Sequence, residues 1–333
     1  MVHAIVIRES DAKGTRTRVA ALEEVLESFL GDGATVVDVA YSGVNYKDAL
    51  ALTGRPGVVR HTPLVAGIDL VGTVVSCADG RFTPGDWIIL NGAGSSETRH
   101  GGLATRAHID AALAVPLPAG LTPARAAAIG TAGYTAALAV ARLTGEGVRP
   151  DDGPVLVTGA TGGVGSIATI LLASAGHEVA ALTGRADTYG DYLRRLGASS
   201  VVERGEFTEP GKPLQVARWA GVVDAVGGAV LANALAQTKP GGTVTSCGLA
   251  GSAELPASVM PFILRGVTLA GIDSVWAPLE ARIEAWELLA HDLDDDVLDS
   301  LTTKVPLDGA IDAARGLLEG RSHGRILVQV SGA

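Results

Sequence analysis

Hydrophobic and polar positions change in short runs along the first third of the chain. Residues 35–40 (TVVDVA) alternate at period two, the spacing of a strand with one buried face. Residues 70–76 (LVGTVVS) and 87–90 are further apolar runs of strand length. Glycine and proline recur between them, as in Gly54-Arg55-Pro56-Gly57, Pro63 and Pro84-Gly85-Asp86, and mark tight turns. This texture predicts a compact, barrel-like β-rich domain over residues 1–122.

The pattern changes at Thr122-Pro123, which reads as an N-cap followed by proline at the first helical position. An alanine-rich helix follows to about residue 143, with an interruption near 130–133. After Pro154, strand-like runs at 155–158, 178–182, 200–202, 222–226, 243–247 and 267–272 alternate with helical runs at 163–175, 188–196 and 229–237. Apolar strands joined by helical crossovers predict an α/β fold with a doubly wound parallel sheet. The second domain is placed at 123–266. Residues 267–333 supply the last strand of that sheet, an amphipathic stretch at 279–291, a helix at 307–319 and a strand at 325–330. That final strand is expected to return to the first domain.

Composition narrows the class. Glycine accounts for 44 of 333 residues without a G-X-Y period, and hydrophobic residues for 47%, which argues against collagen and low-complexity disorder. A net charge of −10 argues against general nucleic-acid or anionic-membrane binding. The best uninterrupted apolar run, residues 167–175, is far short of the roughly 20 residues that span a bilayer. Cys77 and Cys247 are too few and too distant for a disulfide framework. The apolar run at the N-terminus is too short for a signal segment, so a cytoplasmic setting is expected.

The strongest local signal is residues 155–166, VLVTGATGGVGS. An apolar strand ends in Gly159, Gly162 and Gly165, and a helix begins at once. Glycine permits the tight turn and the close approach of a pyrophosphate, which the helix N-terminus receives with N–H groups and partial positive charge. The next strand ends in Thr183-Gly184-Arg185, where NAD enzymes place a carboxylate for the ribose hydroxyl. A guanidinium pairs instead with a 2′-phosphate, so NADPH is the expected cofactor. Arg204, after the third strand, either reaches the same adenosine end or is a solvated loop charge.

No histidine forms HExxH or pairs with cysteine at metal-ligand spacing. Glu97 and His100 are the nearest approach to a ligand pair and are expected to be surface groups of a glycine-rich loop, so no metal site is assigned. Reduction of an activated C=C bond then becomes more plausible than alcohol oxidation. It needs only an oxyanion site and a proton source beside the hydride donor.

Several segments together resemble the zinc-free, quinone-oxidoreductase-like group of the medium-chain dehydrogenase/reductase superfamily, in its NADPH-dependent acrylyl-CoA reductase branch. They include NYKDAL at 45–50, Gly67-Ile68-Asp69, IGTAGYTA at 129–136, the glycine turn, CGLAG at 247–251, VMPFILRGV at 259–267 and GIDSV at 271–275. Zinc-containing relatives carry Gly-His-Glu where this chain has Gly67-Ile68-Asp69, and isoleucine cannot ligate a metal. The resemblance implies a GroES-like catalytic domain beside a Rossmann domain, NADPH as cofactor and a homodimer.

Carried over residue by residue, the resemblance places Tyr46 beside the nicotinamide, Thr161, Gly162, Gly163 and Val164 on the pyrophosphate, and Thr183, Gly184 and Arg185 on the 2′-phosphate. Arg204, Leu249, Ile263 and Ser274 would complete the cofactor site. Asn45, Tyr46 and Arg325 are the polar candidates for the oxyanion, with Tyr46 as proton donor or cofactor-positioning group. Asp69 is expected to pair with Arg325 or orient Asn45, or to serve as a turn acceptor. The expected substrate is a short 2-enoyl thioester. A quinone or an enone/enal on the same fold is the alternative, followed by a non-catalytic NADPH sensor.

Overall fold

The computed structural model describes residues 1–12 and 15–331, which group into two units. One comprises Met1–Thr131, Val275–Ala290 and Asp294–Ala333, the other Ala132–Ser274 and His291–Leu293. The expected boundary at 122/123 falls earlier, inside the first unit.

The chain opens with β1 (Val2–Ala12), β2 (Thr15–Val25), β3 (Thr35–Gly43), α1 (Tyr46–Leu52), β4 (Leu64–Val65), β5 (Asp69–Cys77), β6 (Trp87–Asn91), β7 (Arg106–Ile109) and β8 (Val115–Pro116). A three-stranded sheet has the order β2-β1-β4. The register pairs β3 with β5 and β5 with β6 antiparallel, and sets Asp69 opposite Asn91. Ile5, Ile7, Val37, Val39, Leu64, Ile88 and Leu103 form the core of this unit. Burying each such aliphatic side chain contributes about 1.5–3 kcal/mol.

Next comes α2 (Pro123–Gly145), where Thr122 Oγ1 accepts the Arg125 N–H at 3.3 Å. Gly130 breaks its helical geometry with φ +50° and ψ −161°. This helix is long and apolar enough to cross a membrane, but 78% of its apolar window is buried inside the protein. Such burial is ordinary for a core helix.

The second unit continues with β9 (Val155–Val157), α3 (Gly163–Ser174), β10 (Val179–Thr183), α4 (Ala186–Arg195), β11 (Ser200–Glu203), α5 (Gly205–Thr208), β12 (Trp219–Asp224), α6 (Gly228–Ala236), β13 (Thr238–Ser246), α7 (Met260–Arg265) and β14 (Thr268–Gly271). Its six strands are all parallel, in the order β11-β10-β9-β12-β13-β14. This is the doubly wound dinucleotide-binding order, with the switch point between β9 and β12. Leu156, Leu182, Val222, Leu231 and Val244 fill its core.

From Val275 the chain is part of the first unit again, through α8 (Leu279–Asp292), α9 (Asp295–Ser300), β15 (Thr302–Pro306), α10 (Ala310–Leu318) and β16 (Arg325–Gln329). The last strand pairs antiparallel with β3 and parallel with β15, completing the order β15-β16-β3-β5-β6-β8, with β7 also on β3. The final strand thus carries Arg325 into the sheet that holds Asp69.

The β1–β2 hairpin, α1 and β15 were not foreshadowed by the hydrophobic pattern. Along β2 most residues are exposed or half-buried, including Val19 and Leu22, so no apolar alternation marks it.

Candidate active site

The residues expected to hold the nucleotide lie within the parallel unit. After β9 the backbone turns at Gly159 with φ +59°. In the first turn of α3, a Cβ on Gly165 would sit 2.4 Å from the Gly159 carbonyl oxygen and 2.6 Å from the Ala160 Cα. Only glycine lets this helix pack so closely on the turn. Gly162 caps α3 with extended backbone and no side chain in the way. The N–H groups of Gly163, Val164 and Gly165 have no intrahelical acceptor and sit at the positive end of the helix dipole. Thr158 Oγ1 donates to Asp224 Oδ1 at 2.6 Å, which ties β9 to β12 beside the turn.

Arg185 donates through Nη2 to Thr161 Oγ1 at 2.7 Å, and its guanidinium lies 4.6 Å from the Tyr189 ring centre. Its backbone N–H donates to Thr183 Oγ1 at 3.1 Å. The Arg204 N–H donates to Thr183 O at 3.0 Å, and a Cβ on Gly184 would lie 3.0 Å from the Arg204 Nε. Two guanidinium groups therefore gather around Thr183-Gly184, a charge arrangement that suits a phosphate and not a bare ribose hydroxyl. Leu249 and Ile263 are largely exposed, and Ser274 Oγ accepts from Thr135 Oγ1 at 2.8 Å. Cys247 is half-buried and donates to Asp224 O at 3.2 Å, and burial pushes its thiol up to about 12, which leaves it little thiolate.

A buried polar cluster within the β-rich unit is organised by Asp69, at the start of β5 and 1% exposed. Its carboxylate accepts from Asn45 Nδ2 at 2.7 Å, Asn91 Nδ2 at 2.7 Å and Thr131 Oγ1 at 2.6 Å, and from the Thr131 N–H. Asn45 Oδ1 accepts from Arg325 Nη1 at 3.0 Å, and Arg325 Nε donates to Ala128 O at 2.6 Å. Arg325 Nη2 lies 3.9 Å from Asp69 Oδ2 and has no hydrogen-bond partner among the described residues. Asn91 Oδ1 accepts from Trp286 Nε1 at 3.2 Å. The left-handed Gly130 allows this packing, because a Cβ there would lie 2.5 Å from Asp69 Oδ2.

Asp48 joins the same hub. Its Oδ2 accepts the Asn45 N–H at 2.9 Å, which caps α1, and its Oδ1 accepts the Ile68 N–H at 2.8 Å. Burial, reinforced by the Asp69 charge, pushes the Asp48 carboxyl up to about 7. Burial lowers the Arg325 pKa, while the Asp69 and Asp48 carboxylates act in the opposite direction. The hub fixes the N-terminus of α1, and Tyr46, its first residue, stays 40% exposed. Lys47 follows and pairs with Glu97.

Family models match both parts of the chain. That for the alcohol dehydrogenase GroES-like domain covers residues 31–119, and that for the zinc-binding dehydrogenase domain covers 163–290. Acrylyl-CoA reductase AcuI of Ruegeria pomeroyi is 47% identical over 99% of this chain and 100% of its own length. The chain belongs to the medium-chain dehydrogenase/reductase superfamily. Two solved members share its fold. The YhdH oxidoreductase of Salmonella enterica, in complex with NADP, has a TM-score of 0.95 at 45% identity, over 99% of this chain and 100% of that one. YhfP of Bacillus subtilis, with NAD bound, has a TM-score of 0.93 at 41% identity, over 99% of each chain, and carries the name of a quinone oxidoreductase.

The run Gly67-Ile68-Asp69, where the resemblance placed a replaced zinc-ligand segment, is built into the hydrogen-bonded hub. Among the described residues, no group of three or more His, Cys, Asp or Glu side chains could hold a metal ion. Of the residues expected at the oxyanion, Asn45 and Arg325 are buried and turned into the hub, whereas Tyr46 is open to solvent. Glu97 and His100 are not simple surface groups. Glu97 holds Lys47, while His100 Nδ1 accepts the Val65 N–H at 3.0 Å and its ring packs 5.1 Å from Phe29. Asp48, Asn91 and Thr131 were missed by sequence reasoning, whereas the break at Gly130 falls at the expected interruption near 130–133. Only Asp48 carried a local sign, an acid three places after an asparagine cap.

Proposed function

We propose that the protein is an NADPH-dependent reductase of the activated C=C bond of short 2-enoyl thioesters such as acrylyl-CoA. The full-length likeness to an acrylyl-CoA reductase carries this reading. The glycine turn of α3 would hold the pyrophosphate, and Thr183, Gly184, Arg185 and Arg204 the 2′-phosphate. When bound, NADPH supplies the hydride that the β-carbon of the enoyl group accepts.

The chain's own residues do the rest. Tyr46 stands exposed at the start of α1, where it orients the reacting groups and can deliver a proton to the α-carbon. Asn45, Asp69 and Arg325 are positioning residues, because all of their polar side-chain atoms but Arg325 Nη2 bond to one another and to Asp48, Asn91, Thr131 and Ala128. They hold the α1 cap still, so Tyr46 is preorganised instead of being ordered at each turnover. The family resemblance supports a homodimer, and two free cysteines fit a reducing cytoplasm.

A quinone acceptor is the second reading, favoured by the name of the Bacillus subtilis relative. A screen of NADPH oxidation across acrylyl-CoA, crotonyl-CoA, enals, enones and quinones separates the two. Highest kcat/KM on the short enoyl thioesters is expected. Fast oxidation with quinones and none with any enoyl thioester would overturn the proposal.

A further inference from the structure

A coenzyme A thioester brings a diphosphate and a 3′-phosphate to a protein whose net charge is −10. Its tail needs a local site where cations are not already neutralised. In the β-rich unit most arginines are committed. Arg8 pairs with Glu23, Arg106 with Asp38 and Glu27, and Arg125 with Asp295 and Asp299. Arg282 donates to the carbonyls of Asn91, Leu113, Val275 and Ala277.

The loop 92–99 is different. Its one acid, Glu97, is taken by Lys47. The Glu97 carbonyl accepts the Arg60 N–H at 2.9 Å, which brings Arg60 and the adjacent His61 alongside the loop. Arg99 reaches only the Ala93 carbonyl, through Nη1 at 3.4 Å. Among the described residues, neither Arg60 nor Arg99 meets a carboxylate, and both are exposed, as is His61. The backbone of this loop is unusual. Ala93 and Ser96 take left-handed conformations, with φ +51° and +63°, at non-glycine positions. Each such residue costs on the order of 1 kcal/mol, and such strain clusters at ligand sites. Ser96 is fully buried and its hydroxyl has no partner among the described residues. Trp276, largely exposed, lies against Gly94 of the same loop and offers an aromatic face.

We propose that loop 92–99, with Arg60, His61 and Arg99, seats the phosphates of the nucleotide tail of a coenzyme A thioester. This rests on the enoyl-thioester reading and names where that substrate is held. Among the described residues Arg55 too has no carboxylate ion pair and no hydrogen bond to this loop, so it serves as a charge-matched control.

The test is calorimetric titration of free coenzyme A and of pantetheine, which lacks the phosphates, into the full-length protein. The R60E/R99E double variant should weaken coenzyme A binding about tenfold, as expected for reversing two exposed charges against phosphate. R55E should bind coenzyme A like the wild type. In turnover, the kcat/KM preference for acrylyl-CoA over acrylyl-pantetheine should collapse in R60E/R99E. Equal coenzyme A affinity in wild type and R60E/R99E, or an equal loss in R55E, overturns the site. If no enoyl thioester is reduced, the substrate reading falls, while the titration still decides whether this loop binds a phosphate-rich ligand.

Discussion

The turn after β9 and the hub under α1 are built in opposite ways. The turn is contiguous in sequence and works by leaving atoms out. Gly159 bends, Gly165 lets a helix lie against backbone, and Gly162 leaves the helix end open. The hub draws Asn45, Asp48, Asp69, Asn91, Thr131, Trp286 and Arg325 from separate segments, and works by pairing their buried polar atoms. Removing a group from the hub strands its neighbours. Changing a charge near the turn is expected to alter which nucleotide is preferred, with little effect on the fold.

The largest effect separating the two should come from Asp69→Ala. It would remove the carboxylate nearest the buried Arg325 and the acceptor that Asn45, Asn91 and Thr131 share. A loss of about 3–5 kcal/mol in denaturant-measured stability is expected. A loss under about 1 kcal/mol, the ordinary size for a single substitution, would mean that the hub is not a stability element.

Arg185→Asp should act on the turn alone. Its expected signature is a fall of roughly thirtyfold in the NADPH-over-NADH preference, near the 2 kcal/mol of a charge-assisted hydrogen bond, with stability almost unchanged. Direct titration of both nucleotides checks it. The contrast matters because solved relatives hold NADP in one case and NAD in another. Equal weakening of both nucleotides would show that Arg185 does not read the 2′-phosphate.

The smallest effect is a slope. Folded Asp48 keeps its proton to about pH 7, whereas the unfolded chain releases it near 3.8. The folded state thus binds more protons across this window, and the Asp48 contribution to stability falls as pH rises from about 4 to about 7. The fall is about 1.4 kcal/mol per pH unit at most. Asp48→Asn should flatten it. An unchanged slope in unfolding curves across this range would place the titration elsewhere.

The same contrast explains what was legible in the sequence. The turn carries its meaning in neighbouring letters, so the glycine turn at 159–165 and the strand–helix alternation of the parallel sheet could be read directly. The pairing of Asp69 with Asn45 was also foreseeable once both residues were singled out. The remaining partners were not. Asn91 and Thr131 join only because β5 pairs with β6 and α2 kinks at Gly130; the kink was readable as an interruption near 130–133, but not which carboxylate it brings Thr131 to. The hairpin strand β2 escaped for a related reason, since its largely solvated side chains leave no buried face to alternate.

The most direct test of the proposed reaction is where a solvent proton ends up. With NADPH and acrylyl-CoA in D2O, the protein should yield propionyl-CoA carrying one deuterium at the carbon next to the thioester and none at the terminal carbon. Deuterium at the terminal carbon, or no propionyl-CoA while quinones are rapidly reduced, would contradict enoyl-thioester reduction.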